Sequence, residues 1–195
     1  MDSDTKYNMS FTTGGLLEKE SLTFAITYLK TKCWKDASEN IKKENLFQYR
    51  TLVATNKVLQ ELKSRFSYLD EDALNLVVSG FSNETQQILW FAICKKHSFI
   101  FDFVKEVVRE KYFMGQLELT NYDFDAFYNR KMLYHASLEK ITDKSRYKLK
   151  QVLFKMLREV GILNKHNFIQ TVVPTKNVVN IIGNKSPEYL CIFVN

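Results

Sequence analysis

Three histidines, three cysteines and one carboxylate set among phenylalanines are the side chains of this chain most open to catalytic or metal chemistry. His97, His135 and His166 stand far apart in sequence and belong to no HExxH-type motif. Cys33, Cys94 and Cys191 are odd in number and share no metal or redox spacing, which predicts reduced thiols in a cytoplasmic protein. Gly14-Gly15 is not followed by a lysine–serine pair, so it makes no phosphate loop, and no GxSxG elbow is present. The histidines are therefore expected as polar surface or capping residues. Asp102, inside Phe99–Val104, is expected to face outward or to meet a lysine. An enzyme built on Asp102 and a histidine is the weakest reading. No catalytic residue, metal or cofactor is assigned.

Charge is more informative. Between Arg130 and Lys185 twelve basic residues stand against three acidic ones, in a chain whose net charge is only +6. The rest of the chain is thus net negative, and the polarity predicts a polyanion partner on one side. Within this region Leu138–Leu163 reads LEKITDKSRYKLKQVLFKMLREVGIL. At 100° per residue, Leu149, Val152, Leu153, Met156, Leu157 and Val160 fall on one half of a helix. Lys144, Lys148, Gln151, Lys155 and Arg158 gather opposite, within about 80°. Arg146 and Lys150 flank the apolar half. Lysines about one turn apart match successive phosphates, so Lys144, Arg146, Lys148 and Lys155 are the expected phosphate contacts. Gln151, with Arg146, is expected at base edges. The bland alternative is a solvated amphipathic face. A second basic group, Lys42, Lys43, Arg50 and Lys57, extends the footprint if the fold brings it near.

Elements must hold that face in place. The chain of 195 residues is 45% hydrophobic with 15 Phe and 10 Tyr, ample for a core, while two prolines and six glycines argue against a loop-rich β-sandwich. The longest apolar run, Ile88–Cys94, is seven residues, far below the ~20 a membrane helix needs, and Met1–Ser10 is too polar for a cleavable signal. Helical periodicity predicts about eight helices, including one after Gly15 to Thr31, one capped by Thr51 and one over Asp70–Ser79. Another follows Ser82 to His97 and should be central, being apolar all round. Glu61 and Arg65 stand four apart in the favourable order, worth a few tenths of a kcal/mol. Helices over Ser98–Phe113, Asn121–Tyr134 and Lys144–Val160 follow, with strand-like runs at Ile169–Val173 and Tyr189–Val194. The fold class is all-α: a compact multi-helix bundle with a small C-terminal β-ribbon or wing. It is expected as a single domain, residues 1–195, divisible into a bundle (1–120) and a winged-helix-like part (121–195).

The series GGLLEKES, Trp34, ENLFQYRT, LQELKSRFSYL, QQILWFAICKKHSFIFDFVKEV and KLKQVLFKMLREVGIL resembles the BrxA family, small helical components of bacteriophage-exclusion (BREX) defence systems. The resemblance runs collinearly from about Tyr7 to Leu163. It implies an all-helical cytoplasmic protein with an antitermination-factor-like fold, working among other BREX components that tell host from phage DNA by methylation. It carries no catalytic residues. It marks Glu20, Asn45, Arg50, Glu61, Arg65 and Asp102 either as functional or as caps and ion pairs. The expected function is a non-enzymatic accessory protein of phage resistance that binds nucleic acid, DNA favoured and RNA second, through the basic helix face. The alternative is a protein-interaction scaffold that docks another BREX subunit without touching nucleic acid.

Overall fold

Side-chain caps decide where several helices begin. In the computed structural model, which describes residues 7–195, the hydroxyl of Thr51 accepts the Ala54 N–H at 3.2 Å and Asp70 accepts that of Ala73 at 2.8 Å. These caps open α3 (Leu52–Phe66) and α4 (Glu71–Ser79), after α1 (Glu18–Thr31) and α2 (Trp34–Lys43). Each such cap is worth about 1 kcal/mol. The polar opening segment through residue 6 lies outside the described residues.

α5 (Ser82–Lys96) is the axis of the molecule. Ile88 to Cys94 are all buried, as a helix apolar around its circumference requires, and α1, α3, α4 and α11 (Lys176–Gly183) pack around it. Its cap differs from expectation. Ser82 is already helical, and the Glu84 carboxylate accepts the Phe81 N–H at 3.1 Å. His97 then turns the chain into one rod made of α6 (Ser98–Phe103), a π-helical turn (Val104–Val108) and α7 (Arg109–Phe113). Gly115, at φ 71°, follows the end of the rod.

The Glu61–Arg65 pair is buried, so it is more than the weak helical pair its spacing alone predicts. Arg65 is 1% exposed and donates to Glu61 at 2.7 Å, while Lys96 of α5 donates to the other carboxylate oxygen at 2.8 Å. Arg65 also donates to the carbonyls of Gly15 and Leu16, at 2.9 and 3.2 Å. Burial pushes the Glu61 carboxyl up, but the two cations outweigh it and hold it below the ordinary range.

A strap, residues 7–17, runs ahead of α1 and closes over the core. The Tyr7 hydroxyl donates to Asp102 at 2.6 Å, Phe11 is fully buried against His97 and Phe99, and the Leu16 N–H donates to Glu159 at 2.6 Å. A Cβ at Gly15 would meet the Glu159 carboxylate, so a larger residue there would push that side chain off the Leu16 amide.

The C-terminal β-ribbon is corrected. Among the described residues only isolated antiparallel bridges form, Glu118 with Phe168 and Leu163 with Ile169. The two predicted strands share one backbone bond, Val172 N–H to the Val194 carbonyl at 2.6 Å. Residues Pro187–Ile192 instead wind into a 3-10 helix. Tyr189 packs on Phe91 and Phe101, and Ile192, Phe193 and Val194 are buried, so this run serves the core from several sides, where a ribbon strand offers one face. Pro174 ends the other run.

Candidate nucleic-acid interface

The last long helix, α10 (Asp143–Glu159), follows α8 (Asn121–Met132) and the single turn α9 (Ala136–Glu139). Thr142 caps it by accepting the Ser145 N–H. Leu149, Val152, Leu153, Phe154, Met156 and Leu157 are buried and fix its rotation. The opposite side is then forced into water: Lys144, Lys148, Gln151, Lys155 and Arg158 are all exposed. Among the described residues Lys144, Lys148 and Gln151 have no hydrogen-bond or ion-pair partner. Lys155 lies 3.6 Å from Glu159, a loose i,i+4 pair with the lysine 56% exposed.

Two of the expected contacts have other employment. Arg146 does not join the outward row. Its guanidinium donates to the Asp125 carboxylate and carbonyl of α8, both at 3.2 Å, and stacks 4.3 Å over the Tyr128 ring. Lys150 grips the same carboxylate at 2.9 Å. The physical reason lies in the wheel: Arg146 borders the apolar half, so the packing that buries that half carries it against α8. Arg158 stays exposed but donates to the Asn167 side chain at 2.8 Å, tying the helix to the turn that follows it.

That turn is tightly specified. The Asn164 carbonyl side chain accepts the N–H groups of His166 and Phe168 at 2.8 and 3.1 Å, and Asn167 sits at φ 63°. Leu119 N–H donates to the Asn167 carbonyl and Ile169 N–H to that of Leu117, so residues 117–119 brace it from outside. Lys165 and His166 stand exposed at its tip. No motif or spacing in the sequence marks these two. Tyr147, 60% exposed, also stands beside the outward row. The helical wheel does place Tyr147 about 20° from Arg158, so the signal was present.

Of the residues considered for catalysis, His97, His135, Asp102 and Cys94 are engaged by the fold, while His166 stays exposed. His97, expected as a surface or capping residue, caps the junction of α5 and α6 but is fully buried, with Nδ1 3.0 Å from the Asn8 carbonyl, and burial pushes its pKa down to about 4. His135 packs tilted against Tyr7, ring centroids 4.2 Å apart. Asp102 pairs with Lys131 at 3.5 Å as well as with Tyr7. Cys94 is buried, which pushes its thiol well up. Among the described residues no three of His, Cys, Asp or Glu come together as a metal site, and no helix is long and apolar enough to cross a membrane. Of the second basic group, Lys43, Arg50 and Lys57 are exposed on α2, its following loop and α3.

An all-α bundle whose final long helix turns a row of cations and one amide outward is the class of protein these features define. The chain belongs to the BrxA family, whose profile matches residues 5–186. It is 29% identical over 140 residues to the BREX protein BrxA of Bacillus cereus (strain H3081.97), covering 71% of this chain and 70% of that one. It is 26% identical over 151 residues to the BREX protein BrxA of Escherichia coli O9:H4 (strain HS), covering 77% and 71%. The crystal structure of an uncharacterized protein from Magnetospirillum magneticum shares the fold, with a TM-score of 0.86 over 98% of this chain and all of that one, at 21% identity.

Proposed function

We propose that this chain is a non-enzymatic component of a BREX phage-resistance system and binds nucleic acid, duplex DNA ahead of RNA, through the outer face of α10. The observation that carries the reading is the row itself: Lys144, Lys148 and Gln151 are exposed side by side with no partner among the described residues. Lys155 and Arg158 continue it. The order of elements supports the same reading. A helical rod, the extended residues 117–119, α8, the single turn α9, α10 and the braced turn at 164–168 follow one another much as in a winged helix-turn-helix, with α10 in the recognition position. That unit, taken to start at 117, draws in residues just before 121. The turn at 164–168 is its wing.

With about four phosphate contacts, affinity should fall roughly a hundredfold between about 50 and 200 mM salt. The test titrates labelled duplex DNA and single-stranded RNA at both salts, using the parent and the K144E/K148E/K155E variant. The variant is expected to lose binding while its thermal midpoint holds, since the altered groups reach into water. A variant that binds as well as the parent removes α10 as the site. A stoichiometric complex with another operon product that survives nuclease and high salt would favour the scaffold instead.

A further inference from the structure

The row on α10 ends at Arg158, and the chain does not leave the surface there. It turns through the wing and presents Lys165 and His166 just past the end of the helix. Neither side chain has a hydrogen-bond or ion-pair partner among the described residues. The backbone beneath them is fixed three ways: the Asn164 side chain bridges the turn, the Glu118–Phe168 and Leu163–Ile169 bridges hold its arms, and Arg158 is strapped to Asn167. The tip is thus in rigid register with the helix face.

We infer that Lys165 and His166 form a second contact with the phosphate backbone of the same duplex, outside the groove that α10 enters. The inference rests on the α10 reading. Lys144 to Arg158 spans about 21 Å along the helix axis, more than the ~12 Å width of a major groove, so the far end of the row meets a backbone wall. A tip held beyond that end meets phosphates across the wall. A single strand offers one backbone and leaves the tip unused; a double helix offers both. The partner that fits the two-part surface is therefore continuous duplex.

The test compares parent, K165A/H166A and K144E/K148E/K155E on a ~24-bp labelled duplex and on one of its strands, over a series of salt concentrations, with hydroxyl-radical footprinting on the duplex. Losing the wing contacts should weaken duplex binding about tenfold, lower the salt slope by about 1 or slightly more, and leave single-strand binding unchanged. It should also erase one of two protected backbone patches, the two lying about half a helical turn apart. Parental duplex affinity and slope in K165A/H166A overturn the wing contact and leave the α10 reading standing. A loss of equal size on the single strand also overturns it, because the tip would then supply only general charge. Full binding by the triple helix variant sinks the α10 reading, and the inference with it. Lys165 and His166 hold no structural bond through their side chains among the described residues, so the double variant should keep the parental circular dichroism and melting temperature.

Discussion

Two sets of cations behave as opposites in this molecule. Arg65 and Lys96 lie in the interior of the bundle, converging on Glu61, with Arg65 also bonded to the strap carbonyls. Lys144 and Lys148 stand on α10 with nothing opposite them among the described residues. Buried charge is costly unless paired, so the inner set has a carboxylate and carbonyls built around it. Solvated charge needs no partner and remains available to a ligand. Arg146 falls between the two, since its chemistry is that of a phosphate reader and its surroundings are those of a structural tie.

The largest expected effect breaks the inner set. Glu61→Gln leaves Arg65 and Lys96 facing each other without their counter-ion and should cost about 3–5 kcal/mol by denaturant unfolding. Molecules that remain folded should bind nucleic acid as before. If stability holds, the buried network is not what joins α3, α5 and the strap. Next comes acid. His97 is held neutral with its pKa pushed down to about 4, while in the unfolded chain it binds a proton from about pH 6.5 downward. The unfolded state therefore gains protons first, and stability should fall by up to ~3 kcal/mol between those pH values. A His97→Gln variant should show a flatter pH profile over that window. Glu61, whose folded pKa is depressed, adds a separate loss at lower pH as its carboxylate is protonated. The smallest effect sharpens the border. Arg146→Ala should cost about 1 kcal/mol of stability with little change in nucleic-acid affinity beyond the lost charge, since it removes the tie to Asp125. Lys148→Ala should do the reverse, weakening binding and lowering the salt slope by about 1 with the melting temperature unmoved. Equal behaviour of the two would erase the distinction between inner and outer cations.

Much of the fold was legible because helix caps and wheels are local. Thr51, the apolar circumference of α5 and the outward side of α10 all follow from neighbours within a turn or two. What escaped depends on partners far off in sequence. The i,i+4 spacing of Glu61 and Arg65 was visible, yet Lys96, which makes the pair a buried network, lies 35 residues from Glu61. The fate of Arg146 was decided by Asp125 on another helix. The run from Tyr189 to Val194 reads as strand because β-branched and aromatic residues suit strands, and only the surrounding core shows that it is buried from several sides. In the candidate interface the wheel places the cations and Tyr147 on one side, while Lys165 and His166 become part of the surface only through the turn that places them.

The bond between the Leu16 amide and Glu159 spans 143 residues. A ribosome adding 5–20 residues per second needs roughly 7–30 s to deliver the acceptor after the donor. For all that time the Leu16 amide has no Glu159 carboxylate to settle against. The clasp between the first and last parts of the fold must therefore close late in biosynthesis, and the helix proposed to read nucleic acid is set in place by that closing.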